Sequence, residues 1–166
     1  SIIGASLPLA LASIGQTFVI ISGGIDLSIG MVMSLTSVVT ALYMNGIDSR
    51  LPMATLICVG IGVATGLTNG LVIVFLRVQP IIATLVLMLA GRGVALLITD
   101  GFITTVNSKP LEFVAGGHLF GLPFALFIWV AATAAIALAE RRTALGMLTE
   151  AVGINPEASR LAGVRS

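Results

Sequence analysis

The chain has 166 residues, of which 57% are hydrophobic and only 9% are charged, and its mean hydropathy is +1.14. Soluble domains carry roughly 25% charged residues, so this chain lacks the polar surface that water requires. Its net charge of +1 offers no basic surface for nucleic acid. The single cysteine, Cys58, excludes an internal disulfide and a cysteine-based zinc site. Most of the chain is therefore expected to lie in lipid.

Five apolar stretches follow one another, each close to the roughly 20 residues with which a helix crosses a hydrocarbon core of about 30 Å. They comprise residues 2–22, 27–44, 52–76, 80–99 and 119–139. The sequence lacks the recurring alternation of apolar and polar residues that is typical of a β-barrel. Helices are the other structure that satisfies the backbone in lipid. The sequence predicts an all-α, polytopic transmembrane helix bundle with about five spanning helices in this fragment.

The cationic residues near the ends of the stretches predict the orientation. One side of the membrane holds Arg77, Arg141, Arg142, Arg160 and Arg165, and the other holds Arg50 and Lys109. By the positive-inside rule, we expect residues 1–139 to form the membrane domain and residues 140–166 to be cytoplasmic. The chain begins at Ser1 without an initiator Met or a basic leader, so we expect a fragment of a longer protein that is inactive alone.

The first stretch contains polar residues at membrane depth. Gln16 and Thr17 lie inside it, and Asp26 lies at its exit within a glycine-containing segment, residues 23–30. An ionisable group at that depth must be capped, paired or hydrated. Asp26 followed by Leu27 and Ser28 resembles a helix N-cap, and a structural cap is favoured over contact with a substrate.

The third stretch carries Gly62, Gly66 and Gly70 at four-residue spacing. Such a face of small residues lets another helix approach closely, so it predicts helix packing. Asn69 lies beside these glycines. It either forms an interhelical hydrogen bond or faces a translocation path.

Arg92 lies between two glycines in the fourth stretch, where an exposed charge in lipid is costly. It is expected to face protein, water or a carboxylate, or to lie near the external interface if the helix breaks there. His118 has no base, nucleophile or metal ligand near it in the sequence and is predicted to be a surface residue. We find no catalytic motif and no metal-binding pattern.

The tail predicts a short helix with clear capping residues. Asn155 suits the N-cap, Pro156 the first helical position and Glu157 the positive end of the helix dipole, while Gly163 can end it. About two turns of helix are marginal in water without a docking partner. The helix either docks on another protein or lies on the bilayer surface as a connector.

Four motifs together resemble the permease subunits of ribose/xylose/arabinose/galactose-type ATP-binding-cassette importers. They are Gly24-Ile-Asp-Leu-Ser-Ile-Gly30, Gln79-Pro-Ile-Ile-Ala-Thr-Leu85, Gly91-Arg-Gly-Val94 and Gly153-Ile-Asn155 through Ala162-Gly163. The segments 98–99, 107–108, 143–147 and 150–155 are most similar to those of galactofuranose permeases. The resemblance covers nearly the whole chain.

This resemblance implies a permease of about ten spans, of which the chain holds the second to the sixth. It implies two cytoplasmic ATPase subunits that bind ATP and Mg, a second permease subunit, a periplasmic sugar-binding protein and a bacterial inner-membrane location. The permease itself binds no cofactor and is not an enzyme. The tail helix would be the coupling helix that docks on the ATPase through Asn155, Pro156, Glu157, Ala158, Arg160, Leu161 and Gly163.

The predicted function is import of a monosaccharide, driven by ATP hydrolysis on partner subunits. Neutral hydrogen-bonding groups should line the path so that the sugar binds weakly enough to leave. Gln16, Thr17 and Asn69, together with Arg92, are the candidates. An ion-coupled secondary transporter or channel is the alternative, although such a protein is expected to carry ionisable relays at the membrane midplane.

Overall fold

The computed structural model describes residues 2–163, and within that range the chain is mainly helical. Its helices are α1 (Ile2–Ile21), α2 (Ile29–Met44), α3 (Leu51–Leu76), α4 (Pro80–Thr99), α5 (Lys109–Gly116), α6 (Phe124–Arg142), α7 (Ala144–Ile154) and α8 (Pro156–Leu161). A 3-10 turn (Asp48–Arg50) precedes α3, and two short strands, β1 (His118–Leu119) and β2 (Leu122–Pro123), precede α6. Arg165 and the side chain of Pro156 lie outside the described residues.

The segment before α6 differs from the expected helix. The sequence predicted a helical stretch from residue 119, whereas α6 begins at Phe124 and ends at Arg142. The intervening residues form a hairpin in which Leu119 pairs with Leu122. Phe120 and Gly121 have φ angles of 52° and 79°, the positive values that a two-residue hairpin turn requires. The segment between the fourth and fifth apolar stretches also contains a helix, α5.

Residues 26–112 form one compact unit. Within it α2 packs on both α3 and α4, and α3 contacts α4. Its buried apolar side chains are Met31, Met44, Ala54, Ala83 and Ala95. Small residues dominate this set, which allows the helix axes to approach closely.

Residues 2–25 and 113–163 belong to a second unit. Here α1 contacts α6 and α7, while α8 contacts α7. The approach of α7 to α1 is close, because a Cβ atom added at Gly153 would overlap the carbonyl oxygen of Ile21. The Phe113 and Phe124 rings pack at a centroid distance of 5.1 Å, the range of a favourable aromatic pair.

Candidate functional site

A buried polar network holds the start of α2 against α3. One carboxylate oxygen of Asp26 accepts hydrogen bonds from the Ser28 amide at 2.7 Å and from the Ser28 hydroxyl at 2.6 Å. The Asn69 side-chain amide donates to the same hydroxyl at 3.0 Å. Ser28 is 2% exposed and Asn69 is 7% exposed. The N-cap of α2 is Ser28, so Asp26 stabilises the turn before the helix rather than serving as its N-cap residue.

The turn formed by residues 26–28 lies beside the interior of α3 and α4 and not beside their ends. Asn69 lies seven residues before the end of α3 at Leu76, which is about 10 Å of helix. Met31 faces Gly91, which lies eleven residues after the start of α4, or about 16 Å. If α3 and α4 cross a hydrocarbon core of about 30 Å, then α2 begins one third to one half of the way through it.

The contact between α2 and α4 depends on a glycine. Gly91 is buried, and a Cβ atom added there would overlap Sδ and Cγ of Met31. Gly93, two residues further along α4, has no atom of the described residues within 4 Å of such a Cβ. Within the described part of the chain, Gly91 is therefore a packing position, whereas Gly93 is not.

Arg92 lies on an open cleft between α2 and α4 rather than in the helix contact. The cleft has a volume of about 610 Å³, and the segment 101–104 closes one side of it. Arg92 is exposed and, among residues 2–163, forms no hydrogen bond or ion pair. Its polar neighbours on the cleft wall include Ser34 and Ser37 of α2 and Thr99 of α4.

The other sequence-predicted polar residues are not gathered at this cleft. Gln16 is half-buried in α1, and the exposed Thr17 donates its hydroxyl to the Ser13 carbonyl at 2.8 Å. Both belong to the second unit, whereas Asn69 and Arg92 belong to the first. The structure therefore does not bring the four predicted residues together within one unit.

The glycines of α3 have no neighbour among the described residues. No atom of that part of the chain lies within 4 Å of a Cβ atom added at Gly62, Gly66 or Gly70. This face of α3 is therefore open within residues 2–163.

The tail helix has the predicted caps. The Asn155 side chain accepts a hydrogen bond from the Ala158 amide at 3.0 Å, Glu157 lies in the first turn, and Gly163 has a φ of 92°. The N-cap prediction is confirmed. Ser159 is buried and donates its hydroxyl to the carbonyls of Ala151 and Asn155, which fixes α8 to the end of α7.

The exposed side of α8 combines charge and apolar area. Glu157 and Arg160 are both exposed, and Leu161 is 86% exposed. Ala158 is exposed between them. An apolar anchor with flanking charges is a surface that another protein can recognise.

Known proteins resemble this chain over its whole length. The model of a family described as "branched-chain amino acid transport system / permease component" matches residues 1–166. The chain belongs to this permease family. No solved structure matches it.

Three curated relatives of this family member are sugar permeases. It is 46% identical to the galactofuranose transporter permease protein of Escherichia coli strain K12, over 99% of this chain and 48% of the relative. It is 42% identical to the fructose import permease protein of Bifidobacterium longum, over 91% of this chain and 43% of the relative. It is 34% identical to the ribose import permease protein of Escherichia coli strain K12, over 93% of this chain and 49% of the relative. The permease chain thus spans about half the length of these relatives.

The helices agree with a multi-pass membrane protein of this family. Within the described residues, three helical segments are long and apolar enough to cross a membrane: Asp48–Leu76, Pro80–Thr99 and Phe124–Arg142. Two shorter apolar helices, Ser6–Ile21 and Ile29–Met44, accompany them. The permease chain is a polytopic transmembrane helical bundle.

Sequence reasoning missed several residues of this region. Ser28 was read only as part of a cap motif, although its hydroxyl joins two elements. Ser34 and Ser37 were not singled out. Their spacing of three residues, on one face of a helix, was the signal that could have found them.

His118 is the first residue of strand β1 in the hairpin. It is exposed and contributes to an apolar cavity of about 600 Å³ lined also by Leu7 and Ile128. Among the described residues, no group of three His, Cys, Asp or Glu side chains could hold a metal ion.

Proposed function

We propose that this chain is part of the membrane-spanning translocation subunit of an ATP-driven importer that moves a monosaccharide into the bacterial cytoplasm. The observation that carries the proposal is the similarity of nearly the whole chain to permeases of galactofuranose, fructose and ribose. The energy would come from ATP bound with Mg on separate ATPase subunits, so the permease itself would hydrolyse nothing. A second permease subunit and a periplasmic binding protein would complete the importer.

We further propose that residues 1–139 lie in the inner membrane and residues 140–166 in the cytoplasm. A contact within the first unit supports this topology. Ser108 donates its hydroxyl to the Asp48 carboxylate at 2.6 Å, and the positive-inside rule assigns both residues to the external side. Arg50, in the same external turn, donates to the Tyr43 carbonyl at 3.1 Å.

The tail helix α8 is the proposed coupling helix. ATP binding would close the ATPase pair and move α8 with it, and the membrane helices would shift between two packed states that expose the path to opposite sides. The exposed Glu157, Arg160 and Leu161 supply the docking surface. The open glycine face of α3 would pack against a helix of the longer protein or of the second permease subunit. Gln16 and Thr17 remain predicted path residues.

The test uses the full-length permease that contains this chain, reconstituted in proteoliposomes with its ATPase and sugar-binding protein. The variant exchanges charges on α8, Glu157→Arg with Arg160→Glu. The control makes the same exchange at the same spacing on α5, Lys109→Glu with Glu112→Lys, since both of those side chains are also exposed. Galactose, fructose, ribose and leucine are offered in turn.

We expect ATP-dependent uptake of at least one sugar by the wild type. Sugar-stimulated ATP hydrolysis should fall at least about tenfold in the α8 variant, because a docked ion pair that is reversed costs more than 1.4 kcal/mol, and should be unchanged in the α5 control. Equal loss in both variants would remove the docking role. Uptake of leucine but of no sugar would replace the sugar importer with an amino acid importer.

A further inference from the structure

The cleft between α2 and α4 has two walls that follow from helical periodicity. On α2 its residues recur at positions 30, 31, 34, 37 and 38, and on α4 at positions 88, 92, 95, 96 and 99. Each set lies on one helix face. The polar members of the two walls and of the closing segment are Ser34, Ser37, Arg92, Thr99 and Thr104. We refer to this feature as the Arg92 cleft.

The position of Arg92 requires a polar partner. Arg92 lies twelve residues after the start of α4, or about 18 Å along it, so it is deep in any bilayer that α4 crosses. A guanidinium that faced lipid at that depth would be costly. Because Arg92 has no partner in residues 2–163, its partner is water, a polar solute or a polar group of the longer protein.

The hydrogen-bonding groups of the cleft match a neutral sugar. Arg92 offers only donors, while the hydroxyls of Ser34 and Ser37 can both donate and accept. Neither serine hydroxyl has a hydrogen-bond partner among residues 2–163. Sugar hydroxyls also donate and accept, and the apolar wall around Met88 suits the C–H face of a sugar ring. A volume of about 610 Å³ is typical of small-molecule sites, which range over roughly 300–1,000 Å³.

The lining also explains why binding would be weak enough for passage. Among residues 2–163, no Asp or Glu lines the Arg92 cleft, so this part of the chain supplies none of the charged acceptors that make the strongest hydrogen bonds to hydroxyl groups. A single fixed cation among neutral hydroxyls additionally repels small cations, as arginine does in water and solute pores. A cleft of this kind can pass a neutral sugar without passing sodium ions or protons.

We propose that the Arg92 cleft binds the neutral sugar in transit, with Arg92 donating to sugar hydroxyl oxygens and with Ser34 and Ser37 completing the contact. This inference rests on the proposed function and assigns part of the path to named residues. A helix of the longer protein that fills the cleft, or a binding preference for sugar acids, would be inconsistent with it.

The first experiment measures solvent access and occupancy directly. In the full-length permease with Cys58→Ala, Ser34→Cys and Ser37→Cys are labelled with a water-soluble thiol reagent in assembled importer. Leu97→Cys is the control, because Leu97 is 79% exposed on α4 but does not line the cleft. Labelling is repeated with saturating galactose, fructose or ribose delivered by the binding protein, and with galacturonate as the anionic probe.

We expect both serine positions to react at least about tenfold faster than Leu97→Cys, because only a thiol in water forms the reactive thiolate, and we expect a transported sugar to slow that reaction. Absence of labelling would show that protein or lipid fills the cleft and would overturn the proposal. Labelling without protection, or protection by galacturonate alone, would overturn it as well.

The second experiment separates this proposal from the proposed function. Arg92→Gln should raise the KM for sugar uptake at least about tenfold, as expected when a charge-assisted hydrogen bond is lost. Arg92→Lys should give a KM between those of the wild type and Arg92→Gln. Arg77→Gln, which removes a charge outside the cleft, should leave KM unchanged. If the wild type imports sugar and Arg92→Gln imports it with the same KM, only the cleft assignment fails. If the wild type imports no sugar, the proposed function fails.

Discussion

Replacing Ser28 with alanine removes the hydroxyl that joins the start of α2 to α3. The substitution deletes two hydrogen bonds, one to the Asp26 carboxylate and one from the Asn69 amide. The Asn69 amide stays buried, and a buried donor left without an acceptor costs about 1–3 kcal/mol. Interhelical hydrogen bonds in membrane proteins average about 0.6 kcal/mol because the unfolded state finds other partners. We therefore expect Ser28→Ala to lower the free energy of unfolding by about 1–2 kcal/mol.

The measurement is reversible denaturation of the full-length permease by sodium dodecyl sulfate in mixed micelles. A double-mutant cycle with Asn69→Ala isolates the bond between the two side chains, and we expect a coupling of about 0.5–1 kcal/mol. Thr68→Val is the matched control, since this exposed hydroxyl bonds only to the Ala64 carbonyl within its own helix. If Ser28→Ala is no more destabilising than Thr68→Val, the network does not hold α2 to α3. The same conclusion follows if the effects of Ser28→Ala and Asn69→Ala on the free energy of unfolding are additive.

Three further predictions test local features. Gly91→Ala should destabilise the permease by about 1–3 kcal/mol because the new methyl group must displace Met31. The control, Gly93→Ala, should be neutral or stabilising by up to about 1 kcal/mol. Thermal unfolding in detergent compares the two variants. Phe120→Asn should raise the same unfolding midpoint slightly, because asparagine adopts the positive φ of this turn position more readily than phenylalanine. Asn155→Ala should cost about 1 kcal/mol of α8 stability and should increase amide hydrogen exchange at Ala158. Accelerated exchange throughout α7 would contradict this local effect.

The features that the sequence predicted well are local ones. Apolar stretches fix where helices can cross a membrane, and capping depends on residues within three positions of one another, so Asn155 could be identified as the N-cap of α8. The same reasoning located Asp26 at a turn before a helix, where its carboxylate accepts the Ser28 amide hydrogen, although the N-cap residue itself is Ser28. In each case the interaction closes within a few residues of chain.

The features that the sequence did not predict depend on distant residues or on unusual turn chemistry. Ser28 and Asn69 are 41 positions apart, and nothing local to either residue indicates the other. The hairpin before α6 was missed because Phe120, rather than asparagine or aspartate, occupies a position with positive φ. Gly91 looked like a flank of Arg92, and only the approach of Met31 shows that it is a packing position.

The hydrogen-bonding state of the polar residues separates those that hold the fold from those available to a solute. Asn69 and Ser28 are buried and bonded to each other, so their loss should be visible first in the free energy of unfolding. Arg92 and Ser34 border an open cleft and have no partner among residues 2–163, so their loss should be visible first in KM. In lipid an unsatisfied polar group is costly enough that its persistence requires water, a ligand or another polar group of the protein beside it. Asn69 forms the interhelical hydrogen bond that the sequence offered as one of its two alternatives, and its place on a translocation path stays a prediction.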